Sequence, residues 1–305
     1  MALPWDTEAL WQSLRGDLPG LCIEVVARTD STNSQLLERA RAAGGRRDQP
    51  VTQPGELVQG RAAEPASPHG RRAVDVQPCL LVAEQQTQGR GRQGRAWQSG
   101  PAGTSLCFSL SLPLAPSDWG GLSLAVGATL ADALDADGPP RIGLKWPNDL
   151  WLLDADGSGR KLGGILIETL AVGSRRMVVV GVGLNIAAQS PGVPLASGCA
   201  WLGELHPALD APGALHRVAR PIVRALLRFQ DHGFDAALQA RYAQRDLLRG
   251  RAVTTTAPGI EHGVAEGVSE HGALRVRTLD QRLHEVASGE VSVRLGAPPG
   301  DDEAA

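Results

Sequence analysis

Seven consecutive residues, Gly89-Arg-Gly-Arg-Gln-Gly-Arg95, combine three guanidiniums with three glycines and hold no apolar side chain. That composition does not serve packing. The like charges repel one another, and glycine loses the most backbone entropy on being fixed. Clustered guanidiniums are suited to gripping an anion through charge-assisted hydrogen bonds. A solvated Arg/Gly loop is the other reading, and the stretch alone leaves both open.

A second signal comes from what the chain has kept. Of 30 Lys plus Arg residues only Lys145 and Lys161 are lysine, and the only asparagines are Asn33, Asn148 and Asn185. Lys and Asn share A-rich codons, whereas the abundant Ala, Arg, Gly and Pro have GC-rich ones, so a GC-rich coding bias accounts for the composition. Under that pressure a replaceable Lys drifts to Arg and a replaceable Asn to Ser, Asp or Gly. All five survivors fall in the segments DSTNS, KWPND, RKLGG and GVGLN. The composition therefore nominates sites before any motif is recognised.

The wider composition narrows the class. With 42% hydrophobic and 21% charged residues, 305 residues suit a globular chain of one large and one small domain. A net charge of −3 argues against general nucleic-acid or membrane binding and requires any anion site to be local. No segment nears the roughly 20 apolar residues of a membrane span, and Met-Ala-Leu-Pro-Trp-Asp shows no secretory signal, so a cytoplasmic location is expected. Cys22, Cys79, Cys107 and Cys199 are scattered without a CxxC, which predicts buried thiols rather than a disulfide framework or a zinc site.

These residues must be held by elements that the patterning predicts. Trp5, Leu10, Trp11 and Leu14 suit a short amphipathic helix, followed by a strand over 21–27. Thr32 and Gln35 have the spacing of a capping box, with Leu36, Leu37 and Ala40 forming the apolar stripe of a helix to Gly44. Residues 44–78 are predicted to be a poorly ordered surface insertion with nearly balanced charge. Cys79–Ala83 precedes the Arg/Gly loop as a core strand, and residues 104–112 alternate as a half-buried strand should. Trp119 to Leu134 recur at helical spacing, residues 141–146 form a strand into Pro147-Asn148-Asp149, and 154–160 form a hairpin turn. Strands over 165–169 and 177–182 follow, then helices around Leu215–Phe229 and Phe234–Tyr242. After Gly250, five short β segments predict a small barrel, and the end of the chain is expected to be disordered.

Taken together, DSTNSQ (30–35), EQQTQGRGRQGRAW (84–97), KWPNDLWL (145–152), RKLGGILIE (160–168) and GVGLNI (181–186) resemble the biotin protein ligases, also called biotin–[acetyl-CoA-carboxylase] ligases. GRAV and GEVSVR resemble that family's small terminal barrel. The resemblance implies an α+β fold: a mixed-sheet catalytic domain of the class II synthetase-like biotin/lipoate ligase type over 1–248, a β-barrel domain over 249–296 and a disordered tail over 297–305. It also implies the substrates biotin and ATP with Mg²⁺, and as partner a biotin carboxyl carrier protein domain; a homodimer is compatible with it.

Residue roles follow from the resemblance. Biotin's neutral ureido head needs hydroxyls and amides in an apolar pocket, and Ser31, Thr32, Asn33 and Gln86 match those positions. Gly89, Arg90, Gly91, Arg92 and Gly164 complete the implied biotin site. Lys145 and Arg92 are the implied catalytic pair. An ammonium is a point charge that can bridge the biotin carboxylate and the α-phosphate, while Arg90 and Arg92 close over the intermediate. Nucleotide contacts are implied for Arg90, Arg92, Trp97, Lys145, Asn148, Lys161, Asn185 and Trp201, with no fixed protein metal site. Structural readings stand beside several of these: Ser31 and Thr32 as caps, Lys161 as a solvated lysine, Asn148, Asp149 and Asn185 as turn residues, Trp201 as core.

Regulatory members of the family carry an N-terminal winged helix. The residues before Ser31 are too few for one, so repressor activity and DNA binding are not expected. A lipoate or octanoate transferase of the same architecture is the nearest rival, and the GRGRQGR lid argues against it. A nucleic-acid-binding protein lacks support in the acidic balance and in the absence of aromatics within 89–95. A P-loop hydrolase is excluded, since GxxxxGK[ST] does not occur.

Overall fold

The apolar runs of the sequence become the strands of a mixed sheet, in a computed structural model that describes residues 3–45, 77–188, 198–287 and 293–295. The chain opens with α1 (Thr7–Leu14), β1 (Cys22–Thr29), α2 (Thr32–Gly45) and β2 (Cys79–Gln86). A small hairpin of β3 (Gly89–Arg90) and β4 (Ala96–Trp97) leads to β5 (Ser105–Pro113) and α3 (Leu122–Leu134). Then come β6 (Ile142–Lys145), β7 (Asp149–Leu153), β8 (Gly159–Val172), β9 (Arg175–Asn185), α4 (Ala211–His232) and α5 (Ala236–Ala243). The sheet order is β1-β2-β5-β9-β8-β7-β6, with β1 and β2 parallel and the remaining neighbours antiparallel.

Side chains of period two divide the sheet between two layers. Val178, Val180, Val182 and Leu184 of β9 join Leu80, Val82 and Phe108 in the main core beneath α3 and α4. There α4 supplies Leu215, Val218, Ile222, Leu226 and Phe229, as its spacing predicted; burying each such side chain contributes roughly 1.5–3 kcal/mol. On the opposite face α2 lays Leu36 and Leu37 over Leu81 and Val179. Beyond them β9 presents Gly181 and Gly183, so the covered face stops being core and becomes a floor.

Several expectations need correction. Strand β5 is buried on both faces, because Cys107, Ser109 and Ser111 lie under the layer that α2 and the hairpin form. The expected box between Thr32 and Gln35 is not how α2 begins. Ser31 Oγ accepts from the Ser34 N–H at 3.4 Å, and Gln35 Nε2 donates to Asp30 at 3.1 Å. Gly163 and Gly164 lie inside β8 rather than before it; a Cβ on Gly163 would come 2.5 Å from the Gly183 carbonyl oxygen of β9. Of the four cysteines, Cys79 and Cys107 are buried but Cys22 and Cys199 are only half-buried.

The last strands, β10 (Ala252–Thr255), β11 (His262–Val268), β12 (Leu274–Arg277), β13 (Leu283–Val286) and β14 (Val293–Leu295), pair antiparallel in the order β13-β12-β11-β10-β14. The expected barrel is thus a five-stranded sheet whose outer strands β13 and β14 do not pair among the described residues. Its β11–β12 turn packs on the larger unit. Trp146 Nε1 donates to the Gly272 carbonyl at 3.0 Å, and His271 Nδ1 lies 2.9 Å from Asp118 Oδ2. Of the stretch 44–78, residues 44–45 end α2 and 77–78 lead into β2; the expectations for 46–76 and for the tail fall outside the described residues. Among the described residues no helix is long and apolar enough to cross a membrane.

Candidate active site

Strands β2, β5, β6, β7, β8 and β9, the start of α2 and the hairpin line a cavity of about 710 Å³ above Gly181 and Gly183. The two glycines are there because of what lies over them. A Cβ on Gly181 would meet Asn33 Oδ1 at 2.2 Å, and one on Gly183 would meet the Trp97 ring at 2.5 Å. Ser31, Thr32, Asn33, Gln86, Arg90, Gly91, Arg92, Trp97, Lys145, Asn148, Lys161 and Gly164 line this cavity. Gly89, Asn185 and Trp201 are not among its walls.

One end of the cavity is neutral and polar. The β1–α2 junction turns Thr32 toward Gln86, whose Oε1 accepts from the Thr32 N–H at 2.7 Å and its hydroxyl at 3.2 Å. Gln86 is fixed in turn by Ser99, which binds its N–H at 2.7 Å and its carbonyl at 2.9 Å. The Ser109 hydroxyl sits 2.6 Å from both Thr32 Oγ1 and Asn33 Oδ1. Asn33 Nδ2 donates to the Leu166 carbonyl at 3.1 Å and to Glu168 Oε2 at 2.9 Å. This buried asparagine therefore ties α2 to β8, which explains its place in the first turn better than capping does.

The other end is cationic. In the β6–β7–β8 registers Lys145 faces Asp149 and Trp151 faces Lys161, so all four side chains share one surface. Lys161 Nζ pairs with Asp149 at 2.7 Å, while Lys145 Nζ lies 5.0 Å from the centroid of the Trp151 ring. The carboxylate is thus taken up by Lys161, and an aromatic face lies against Lys145. Asn148 closes the turn by donating to the Ile165 carbonyl at 2.8 Å, beside the cis Trp146–Pro147 bond. Burial pulls the Arg92 guanidinium below its ordinary pKa, a shift that Asp149 opposes. It stays charged regardless.

The Arg/Gly loop forms the β3–β4 hairpin. Gly91 N–H bonds to Arg95 O at 2.7 Å, Arg90 pairs with Glu168, and the Trp97 indole donates to Cys107 Sγ at 3.3 Å. Burial pushes the Cys107 thiol up to about 11, so it is a neutral partner for that indole. Gly89 serves the hairpin itself, since a Cβ there would strike Trp97 O at 2.4 Å. Asn185 Nδ2 donates to Ala200 O at 3.0 Å, and Arg160 holds Asp154, Glu204 and the Cys199 carbonyl. These bonds place the Trp201 segment beside the cavity without making it a wall.

Sequence reasoning missed Ser109, Glu168 and Trp151. The first two carried a partial signal, since Ser109 is one of three serines on one face of β5 and Glu168 follows the apolar run Ile165–Ile167. Trp151 carried none, because a tryptophan in a strand looks like core.

Residues 76–185 match the model of the biotin/lipoate A/B protein ligase family, and 249–294 match the biotin protein ligase C-terminal domain. The chain is 32% identical to a biotin–[acetyl-CoA-carboxylase] ligase of Mycobacterium tuberculosis, over 94% of this chain and 95% of that protein. It belongs to the biotin protein ligase family. The bifunctional ligase/repressor BirA of Escherichia coli is 31% identical to it, over 93% of this chain and 77% of that one. Among solved structures, a biotin protein ligase from Aquifex aeolicus in complex with biotin and ATP superposes with a TM-score of 0.64 at 25% identity. That likeness covers 90% of this ligase family member and 99% of the Aquifex chain.

Proposed function

We propose that this ligase joins biotin to ATP, giving biotinyl-5′-adenylate and pyrophosphate, and then passes the biotinyl group to a lysine of a biotin carboxyl carrier domain. One observation carries the reading. A single cavity has hydroxyls and amides around Thr32, Asn33 and Gln86 and the cations Lys145, Lys161 and Arg92 around Asp149, with Arg90 held by Glu168 beside Asn33. That matches a ligand with a neutral ureido head and a carboxylate tail that must meet a phosphate. Thr32, Asn33 and Gln86, already tied to one another and to Ser109, present a pre-organised rim to the head.

In the first step a biotin carboxylate oxygen attacks the α-phosphorus and pyrophosphate leaves. Lys145, a wall of that cavity, is assigned the bridge between the two anions, and Arg92, also a wall, adds charge there. In the second step the carrier lysine amine attacks the acyl carbon, AMP leaves, and the amine proton goes to solvent. Pyrophosphate release is the decisive measurement. Release with biotin and not with lipoate supports the assignment; the reverse overturns it in favour of a lipoate ligase.

Mg²⁺ fits this site as a companion of the nucleotide. Among the described residues no trio of metal-ligating side chains lies in the cavity, and the Asp149 carboxylate there is paired with Lys161. The phosphates would therefore supply most of its ligands, and the ion would neutralise phosphate charge. A second cavity of about 900 Å³ shares Arg90, Arg92, Trp146 and Pro147 with the first and reaches His271 and Gly272 of the β11–β12 turn. It offers the carrier lysine a route to the adenylate.

A further inference from the structure

At the far end of β1 and β2 from the active site lies a group of side chains that ligation does not use. Parallel pairing makes Cys22 and Cys79 direct partners, so their thiols leave neighbouring strands side by side. Glu24 is two residues further along β1 and therefore on the same face. Its Oε1 is 3.4 Å from Cys22 Sγ and 3.9 Å from Cys79 Sγ, and the three ligand atoms all lie within 4.8 Å of one another. We propose that Cys22, Glu24 and Cys79 form a binding site for a thiophilic divalent cation of the zinc class.

The distances suit that ion. Zinc–sulfur and zinc–oxygen bonds of tetrahedral geometry put sulfur and oxygen about 3.6 Å apart and two sulfurs about 3.8 Å apart. The two sulfur–oxygen separations bracket the first of these values. The donor set selects a soft or borderline metal, since hard Mg²⁺ prefers oxygen throughout.

The charges also close. Binding expels one proton from each thiol to solvent, so two thiolates, one carboxylate, the Arg39 guanidinium and a divalent ion sum to zero. Arg39 is in place for this, with Nη1 3.0 Å from Glu24 Oε1 and 3.9 Å from Cys79 Sγ. A carboxylate has lone pairs enough to accept from Arg39 and to ligate a metal together, which makes Arg39 an outer partner that orients Glu24. Water takes the fourth position. Seven steps of β1 separate Cys22 from Thr29, roughly 23 Å, so the site acts on the sheet and not on the reaction.

The test is a titration of the full chain, reduced and freed of metal by chelation, with Co²⁺ as the probe. We expect one equivalent to bind with thiolate-to-cobalt charge-transfer absorption and tetrahedral d–d bands, both removed stoichiometrically by Zn²⁺. Cys22→Ser and Cys79→Ser should each abolish the charge-transfer band, while Cys199→Ser keeps it. Arg39→Gln should weaken binding about 10- to 100-fold, as loss of an outer-shell partner does. Glu24→Gln gives a milder variant should a cysteine variant fail to fold, and its binding should also weaken. Absence of the band, a band that survives Cys22→Ser or Cys79→Ser, or recovery of the two cysteines as a disulfide under the titration conditions overturns the site.

Discussion

Replacing Trp151 tests how Lys145 is held. The indole lies 5.0 Å beneath the ammonium and is only 6% exposed, so the cation rests on a ring that water hardly reaches. Such a contact contributes about 0.5–2 kcal/mol. Trp151→Leu removes the ring face and leaves the ammonium without its support, so adenylate formation should slow by about 2- to 30-fold. Trp151→Phe keeps a face and should recover most of that loss. The leucine variant also leaves a cavity costing about 2–5 kcal/mol of stability, so melting curves must accompany the kinetics. The assay is single-turnover pyrophosphate release at saturating biotin and ATP, well below the melting range of every variant. A leucine variant as fast as wild type, or a phenylalanine variant as slow as leucine, refutes the reasoning. The second result would point to the indole N–H, which is buried with no hydrogen-bond partner among the described residues.

Other outcomes follow from the same geometry. Lys145→Ala should abolish adenylate formation while leaving the melting temperature close to wild type; retained pyrophosphate release removes its central role. Asn33→Ala removes a bond from the Leu166 carbonyl, Glu168 and Ser109, of which Glu168 keeps Arg90 and Ser109 keeps Thr32, so denaturant stability should fall by about 1–3 kcal/mol. Arg92→Gly should leak biotinyl-AMP and label bystander proteins, a result to be read by mass spectrometry of an added unrelated protein. The Asp118 hydrogen bond raises the His271 pKa, so that contact stabilises fully below the ordinary histidine value of about 6.5 and is lost as pH rises through the raised one. His271→Gln should therefore flatten the fall in melting temperature across that window.

Much of the site was legible because its chemistry leaves few substitutes. A chain that exchanged its other lysines for arginine kept Lys145 and Lys161, and the cavity wall holds both. Strand and helix identities were legible where apolar residues recur with one period, as in α4. Their edges were not: Gly163 and Gly164 look like a turn, yet β8 runs through both, and at Gly163 the neighbouring β9 approaches too closely for any side chain.

Three things were decided only in three dimensions. Whether the serine face of β5 meets water or a buried rim depends on α2, which lies far away in sequence, and on how the preceding hairpin folds back. Asn33 takes its partners 133 and 135 residues away, so no local pattern could show that it joins a helix to a strand. The Arg/Gly loop shows the division most clearly. The sequence determined its charge and its glycines, and hence that it could grip an anion. The fold decided that the carboxylate of Glu168, brought to it by β8, meets Arg90, because sheet register sets which distant side chains share a face.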